Sequence, residues 1–241
     1  MITRNRDGDV EVIRIDRHER RNALDIEHCQ ALRDTVESAH REGARAIVIT
    51  GAGSSFCAGA DLDAVYGGQF RDSLYPMLAA ITDTPVPVLA SVNGPAVGAG
   101  AQLAMACDLR IAAPTATFAI PTARNGLAVD LWTVRRLAQL AGGGPARAIL
   151  IGGDTLDADT AYARGLVDRL GDHSGAMDWA REIATFAPLT LAYSKRVLNH
   201  PVHQAEDPEL LKLFEGCWNS EDFREGSRAR QGNRPPRFRG R

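Results

Sequence analysis

Two short segments concentrate the residues that could do chemistry. One runs S-F-C-A-G-A-D-L from Ser55 to Leu62, the other N-G-P-A-V-G-A-G-A-Q from Asn93 to Gln102. Each follows a run that reads as a buried strand and opens a run that reads as a helix. At such a junction the first backbone N–H groups of the helix have no partner, and the helix dipole favours negative charge. Glycine and alanine let a ligand approach that backbone closely. Two such junctions side by side would aim two N–H donors at one oxygen, the arrangement that stabilises a developing oxyanion. Small-residue turns also serve close helix–strand packing, and spacing alone leaves both uses open.

Other catalytic patterns are missing. The sequence has no G-x-S-x-G elbow, no H-E-x-x-H and no G-x-x-x-x-G-K-[ST]. Gly51-Ala-Gly53 after a strand lacks the third glycine and the later acidic residue of a dinucleotide site. Cys29, Cys57, Cys107 and Cys217 are too widely spaced for a zinc or redox motif, and the six histidines lie far from any cysteine pair. No metal site is expected, and the cysteines read as small buried apolar residues.

The elements that must position the two segments are legible in outline. Val10 to Ile15 alternates as a strand, with Asp7-Gly8 as a turn before it. Cys29, Leu32, Val36 and Ala39 mark an amphipathic helix over 25–40, with Asp25 and Glu27 in its first turn. Ala46 to Thr50 and Pro87 to Val92 read as buried, parallel strands. Gly98 to Cys107 reads as a short helix and Asp108 to Ala112 as a third such strand. This recurrence predicts an α/β fold. From about Thr133 the chain reads as mostly helical, including one stretch from Leu210 to Phe223. The basic, proline-bearing end, Arg234 to Arg241, reads as a solvated tail.

The 241 residues, 44% hydrophobic and 24% charged, suffice for a real core. A net charge of −2 gives no global reason to expect nucleic acid. The polar start has no signal-type run, and no stretch of roughly 18 apolar residues occurs. A soluble cytoplasmic protein without a membrane span is expected.

Several blocks together resemble the enoyl-CoA hydratase/isomerase, or crotonase, superfamily. They are R-N-A-L-D from Arg21 to Asp25, the two turn segments, L-A-M-A-C-D-L-R-I-A from Leu103 to Ala112, Ala148 to Val167, A-Y-S-K-R-V-L-N from Ala192 to Asn199, and the R-P-P-R-F-R end. The likeness runs through nearly the whole chain in order. It implies a spiral of ββα units over 1–185 and a helical C-terminal region over 186–241 that makes homotrimers or dimers of trimers. It implies an acyl-CoA or enoyl-CoA ligand, with coenzyme A entering as part of that ligand and no permanently bound cofactor. The thioester carbonyl would sit between the N–H groups of Ala60 and Ala99. Adenine would meet the backbone around Ala58, Asp61 and Leu62, and the pantetheine and phosphates would follow Arg21, Ala23 and Leu24. The basic tail would reach a neighbouring subunit's coenzyme A.

The sequence departs from this family where water is handled. The two glutamates of the hydratases fall on Gln102 and Thr122, neither of which exchanges a proton near neutral pH. Asp130 matches a catalytic aspartate of the dienoyl-CoA isomerases, although it also suits the cap of a helix starting near Trp132. Trp132, Leu131 and Phe118 could line an acyl pocket or belong to the core. Asp108 and Arg110 read as structural, and His18, His28 and His40 as solvated. Three functions are therefore carried forward: a fatty acyl-CoA-binding protein of lipid metabolism with little or no hydratase activity, an enoyl-CoA isomerase using Asp130, and a hydratase with displaced acids. A scaffold that binds no coenzyme A is the fourth.

Overall fold

The computed structural model describes residues 1–61, 69–199 and 208–241. A six-stranded sheet runs in the order β1-β2-β3-β4-β6-β9. Its strands are β1 (Ile2–Asp7), β2 (Val10–Ile15), β3 (Ala46–Gly51), β4 (Val88–Val92), β6 (Leu109–Ala112) and β9 (Arg169–Leu170). All neighbours pair parallel except β1, which forms a hairpin with β2 through a turn at Gly8 and Asp9, one residue on from the expected position. β1 escapes the sequence reading because this edge strand carries polar residues and is half-exposed to exposed along its length.

Every residue of β3 and β4 is buried, as expected for parallel strands covered on both faces. On one face lie α1 (Ile26–Arg41) and α2 (Phe70–Asp83), whose apolar stripes Cys29-Leu32-Val36-Ala39 and Leu74-Met77-Leu78-Ile81 enter the main core. On the other lies α7 (His173–Ile183), which packs Met177, Ala180 and Ile183 on Val10, Val12, Val48 and Leu89. Asp25 caps α1 by accepting the His28 N–H.

A second small sheet, β5-β7-β8, pairs β5 (Ala96–Val97) with β7 (Thr117–Ala119) and β7 with β8 (Thr155–Asp157). Between them runs α3 (Ala99–Ala106), buried at every position because it crosses the core. Then come α4 (Leu131–Ala141), α5 (Gly143–Arg147) and α6 (Ala158–Ala163). The chain after Thr133 is thus less uniformly helical than its sequence suggests, since β8 and β9 interrupt it.

The C-terminal region is helical: α8 (Pro188–Asn199), α9 (Pro208–Asn219) and α10 (Glu221–Gln231). The stretch from Leu210 to Phe223 is two helices, not one. Ser220 ends the first and caps the second through the Phe223 N–H. The arginine-rich end is not a free tail either. Asp222 accepts the backbone N–H groups of Arg239 and Gly240, and Glu225 accepts from Arg234 and the Arg237 N–H. Arg45 donates to the Phe238 carbonyl at 3.1 Å.

Cys29, Cys57 and Cys107 are fully buried, and burial pushes each thiol up to about 12. Cys217 is half-buried. Asp108 and Arg110 are structural, as read. Arg110 is buried on the carbonyls of Leu166 and Cys107 and on Asp168, while Asp108 accepts the Val88 N–H. His28 is not solvated: its ring engages Asp25 at 2.7 Å and its side chain is 12% exposed.

Lys195 anchors α8 to the core. Its buried ammonium meets the carbonyls of Ile81 and Val86 and the Asp108 carboxylate, all within 2.9 Å. Removing one partner of such a pair leaves the other uncompensated. Lys195→Met is expected to cost about 3 kcal/mol, read as a lower urea midpoint.

Candidate functional site

The two turn segments meet through their backbones. Cys57 forms a parallel bridge with Ala96, donating to the Pro95 carbonyl while Val97 donates to the Cys57 carbonyl. Such contact leaves no room for side chains. A Cβ at Gly100 would stand 2.1 Å from the Cys57 oxygen, and one at Gly94 would stand 2.1 Å from the Ser54 oxygen. Gly59 has φ +109°, and a Cβ there would come 2.9 Å from the Val97 oxygen and 3.9 Å from the Ala99 nitrogen. Residues 59–60 therefore lie against the start of α3.

A third segment joins them. Leu24 bridges Ala60, with the Leu24 N–H on the Gly59 carbonyl and the Asp61 N–H on the Leu24 carbonyl. The Ala58 N–H reaches the Arg21 carbonyl at 3.0 Å. These bonds use the N–H groups of Ala58 and Asp61 and the carbonyl of Gly59. Among the described residues neither the Ala60 nor the Ala99 N–H has an acceptor. Ala99 is the first residue of α3, so its N–H is one of the helix's unpaired donors.

Asn22 and Arg17 hold this frame, a role that no local sequence pattern marks. Asn22, fully buried with φ +60°, donates to the carbonyls of Ala52 and Ser55 and accepts the Arg17 N–H. Arg17 bridges Asp25 and Asp61 at 3.2 and 3.1 Å and donates to the Ala23 carbonyl. Of the expected ligand-binding residues, Arg21, Ala23, Leu24, Ala58 and Asp61 thus lie along one continuous edge. Leu62 lies outside the described residues.

Behind the two alanines the structure brings together Gln102 and Asp130, which are remote in sequence. Gln102 is buried on α3, and its amide donates to the Thr133 hydroxyl at 2.7 Å. Thr133, fully buried, donates in turn to the Asp130 carboxylate. Asp130 occupies the N-cap position of α4, but its side chain takes this hydroxyl rather than a backbone N–H. The D-x-x-T spacing is the one sequence signal that could have found Thr133. Tyr75 on α2 also belongs here: burial, then the nearby Asp130 charge, pushes its phenol above the usual value. Thr122 is half-buried at the head of a short turn, three residues beyond Ala119, whose carbonyl accepts the Gly98 N–H.

The three candidate acyl-pocket residues separate. Phe118 is core, Leu131 is 62% exposed, and Trp132 packs half-buried against the core. No cluster of metal-ligating side chains occurs among the described residues.

Gly100→Ala is expected to cost about 3 kcal/mol through overpacking, because the new methyl meets a backbone carbonyl. Gly216→Ala, inside α9 where nothing lies within 4 Å, should not destabilise. Urea midpoints of the two variants test whether backbone contact sets the site.

Comparisons with known proteins place the chain in one family. Residues 5–241 match the family described as Enoyl-CoA hydratase/isomerase. The chain is 44% identical over 230 residues to the probable enoyl-CoA hydratase echA6 of Mycobacterium tuberculosis, covering 95% of each. It is 34% identical over 248 residues to a putative enoyl-CoA hydratase of Thermus thermophilus, covering 96% of this chain and 98% of that protein. A putative enoyl-CoA hydratase/isomerase family protein from Hyphomonas neptunium superposes with a TM-score of 0.92 at 32% identity, over 100% of this chain and 98% of that one.

Proposed function

The chain belongs to the enoyl-CoA hydratase/isomerase family, with the crotonase fold, and from that premise we propose that it binds fatty acyl-CoA thioesters and hydrates them little or not at all. One observation carries the reading: Gln102, which the family resemblance aligns with a hydratase acid, has its amide committed to Thr133. A thioester oxygen between the Ala60 and Ala99 N–H groups would be polarised without any proton being moved. The same donors would stabilise an enolate oxygen more than a neutral carbonyl.

Hydration needs more than an oxyanion hole. Water must lose one proton and the α-carbon must gain another. Each general acid or base contributes about 10²–10⁴ in rate. A carboxamide at 102 and a hydroxyl at 122 offer hydrogen bonds but no such exchange. The hydratase named for the relatives is therefore the reading this site supports least.

A second reading has an observation of its own. Asp130 is a half-buried carboxylate with one oxygen fixed by Thr133 and with Tyr75 close by. A single base held in this way would take a proton from one carbon of a 3-enoyl thioester and return it at another. No described helix is long and apolar enough to cross a membrane. A homotrimer or dimer of trimers in the cytoplasm, with a core over 1–185 and an association region over 186–241, fits the family and is part of the proposal. Phe186, Leu198, Leu211, Trp218 and Phe223 leave apolar surface exposed on that region.

Calorimetric titration with acyl-CoAs of increasing chain length is expected to give tight, length-dependent binding. Conjugated-thioester absorbance with 2-enoyl substrates should stay unchanged; rapid loss would contradict the reading. If 3-enoyl substrates turn over, Asp130→Asn should lower the rate at least about 100-fold and leave affinity nearly unchanged. Collapse of affinity in a folded Asp130→Asn protein would make Asp130 a binding residue instead.

A further inference from the structure

A second concave surface lies across the sheet from the site just described. It is a groove of about 550 Å³ between the β1–β2 hairpin and α7. Strand register and helix period order its walls into three levels. Thr3 pairs with Arg14, Asn5 with Val12, and Asp7 with Val10. Along α7, His173, Met177 and Arg181 recur every four residues on one face. The helix runs antiparallel to β2, so His173 meets the Arg14 level, Met177 the Val12 level and Arg181 the Asp7 level.

The three levels differ in charge. At one end Arg181 is neutralised by Asp7 at 2.7 Å and by Asp178 at 2.8 Å. The middle level is apolar on two sides, Val12 and Met177 both being buried. At the other end Arg14 is exposed and has no acidic partner among the described residues. His173 is half-buried beside it, with Nδ1 on the Ser91 hydroxyl at 3.1 Å, which leaves Nε2 for a ligand. Burial first, and the Arg14 charge second, hold His173 below its usual value against the opposing charge of Asp172, whose carboxylate is taken up by the Gly175 N–H. Arg4 and Arg6 contribute no free charge here. They point to the opposite face of the hairpin, where they pair with Glu11, and Arg4 also pairs with Glu42.

We propose that this groove binds a small phosphomonoester, its phosphate seated between Arg14, His173 and the Thr3 hydroxyl and its organic body lying on Val12 and Met177. A guanidinium supplies paired donors matched to phosphate oxygens, and a neutral imidazole and a hydroxyl add hydrogen bonds without further charge. The apolar middle level selects an ester over the free ion. The closed Arg181–Asp7 pair limits the body's length, since reaching past it would break an ion pair.

Phenyl phosphate and inorganic phosphate, titrated calorimetrically into the whole protein, test the assignment. Phenyl phosphate is expected to bind saturably and more tightly than inorganic phosphate. Arg14→Gln should weaken it by about tenfold or more, the loss of a charge-assisted hydrogen bond. Arg41→Gln, an exposed arginine outside the groove, should leave it unchanged. Acyl-CoA binding should be the same in all three proteins, which separates this groove from the thioester site. Absence of saturable phenyl phosphate binding, equal affinity for the two probes, or an Arg14→Gln protein that binds as before would each overturn the proposal.

Discussion

The backbone of the turn after β3 lies in direct contact with the backbone of the turn after β4, and the site depends on that contact. Cβ atoms at Gly51, Gly94 and Gly100 would fall 2.1–2.2 Å from the carbonyl oxygens of Ser55, Ser54 and Cys57. Glycine here is a steric requirement rather than a source of flexibility. The close approach also buries carbonyls that need donors, and two asparagines provide them. Asn22 serves Ala52 and Ser55, while Asn93 serves Gly53 at 2.8 Å and accepts the Gly51 N–H. Once the turns are joined, Leu24 zips onto Gly59 and Asp61, and the Ala60 N–H remains over beside the unpaired N–H at the start of α3. The two free donors are thus what the pairing of Leu24 with Gly59 and Asp61 leaves over.

The same economy governs the groups behind the alanines. Buried side-chain nitrogens and oxygens all have partners among the described residues. Gln102, Thr133 and Asp130 form one chain in which each hydrogen bond has a fixed direction. A carboxylate in place of Gln102 would face the oxygen of Thr133, whose proton already goes to Asp130. The local network therefore suits an amide and would have to rearrange around an acid. Under the proposed function, polarisation of a bound carbonyl would persist with an amide at 102, because it would come from backbone donors. Proton transfer to and from water would not.

How much of this the sequence disclosed depends on where the information lies. The buried strands and α1 announce themselves through local patterns, as in Ala46 to Thr50 and Cys29-Leu32-Val36-Ala39. The turn segments stand out because alanines and glycines cluster after strands. β1 is hidden by its polar edge residues, and β5 and β9, two residues each, are too short to show a period. The Gln102–Thr133 bond spans 31 residues and has no local signature. The arginines of the C-terminal end are exposed, as composition suggests, but the segment is not a free tail. Asp222 grips that segment by its backbone N–H groups, which composition does not reveal. Asp130 was legible as a helix cap by position, yet its partner is a side chain one turn on.

Under the proposed function, two backbone N–H groups polarise a thioester carbonyl in a site without hydratase acids. Isotope-edited infrared spectroscopy tests it directly, using a saturated acyl-CoA labelled at the thioester carbonyl carbon. Binding should move the carbonyl stretch to lower frequency than in water, as two aligned donors in a water-excluded site draw charge onto the oxygen. An unshifted or raised frequency, with the ligand bound, would mean that Ala60 and Ala99 do not hold the carbonyl, and the account of this site would fail.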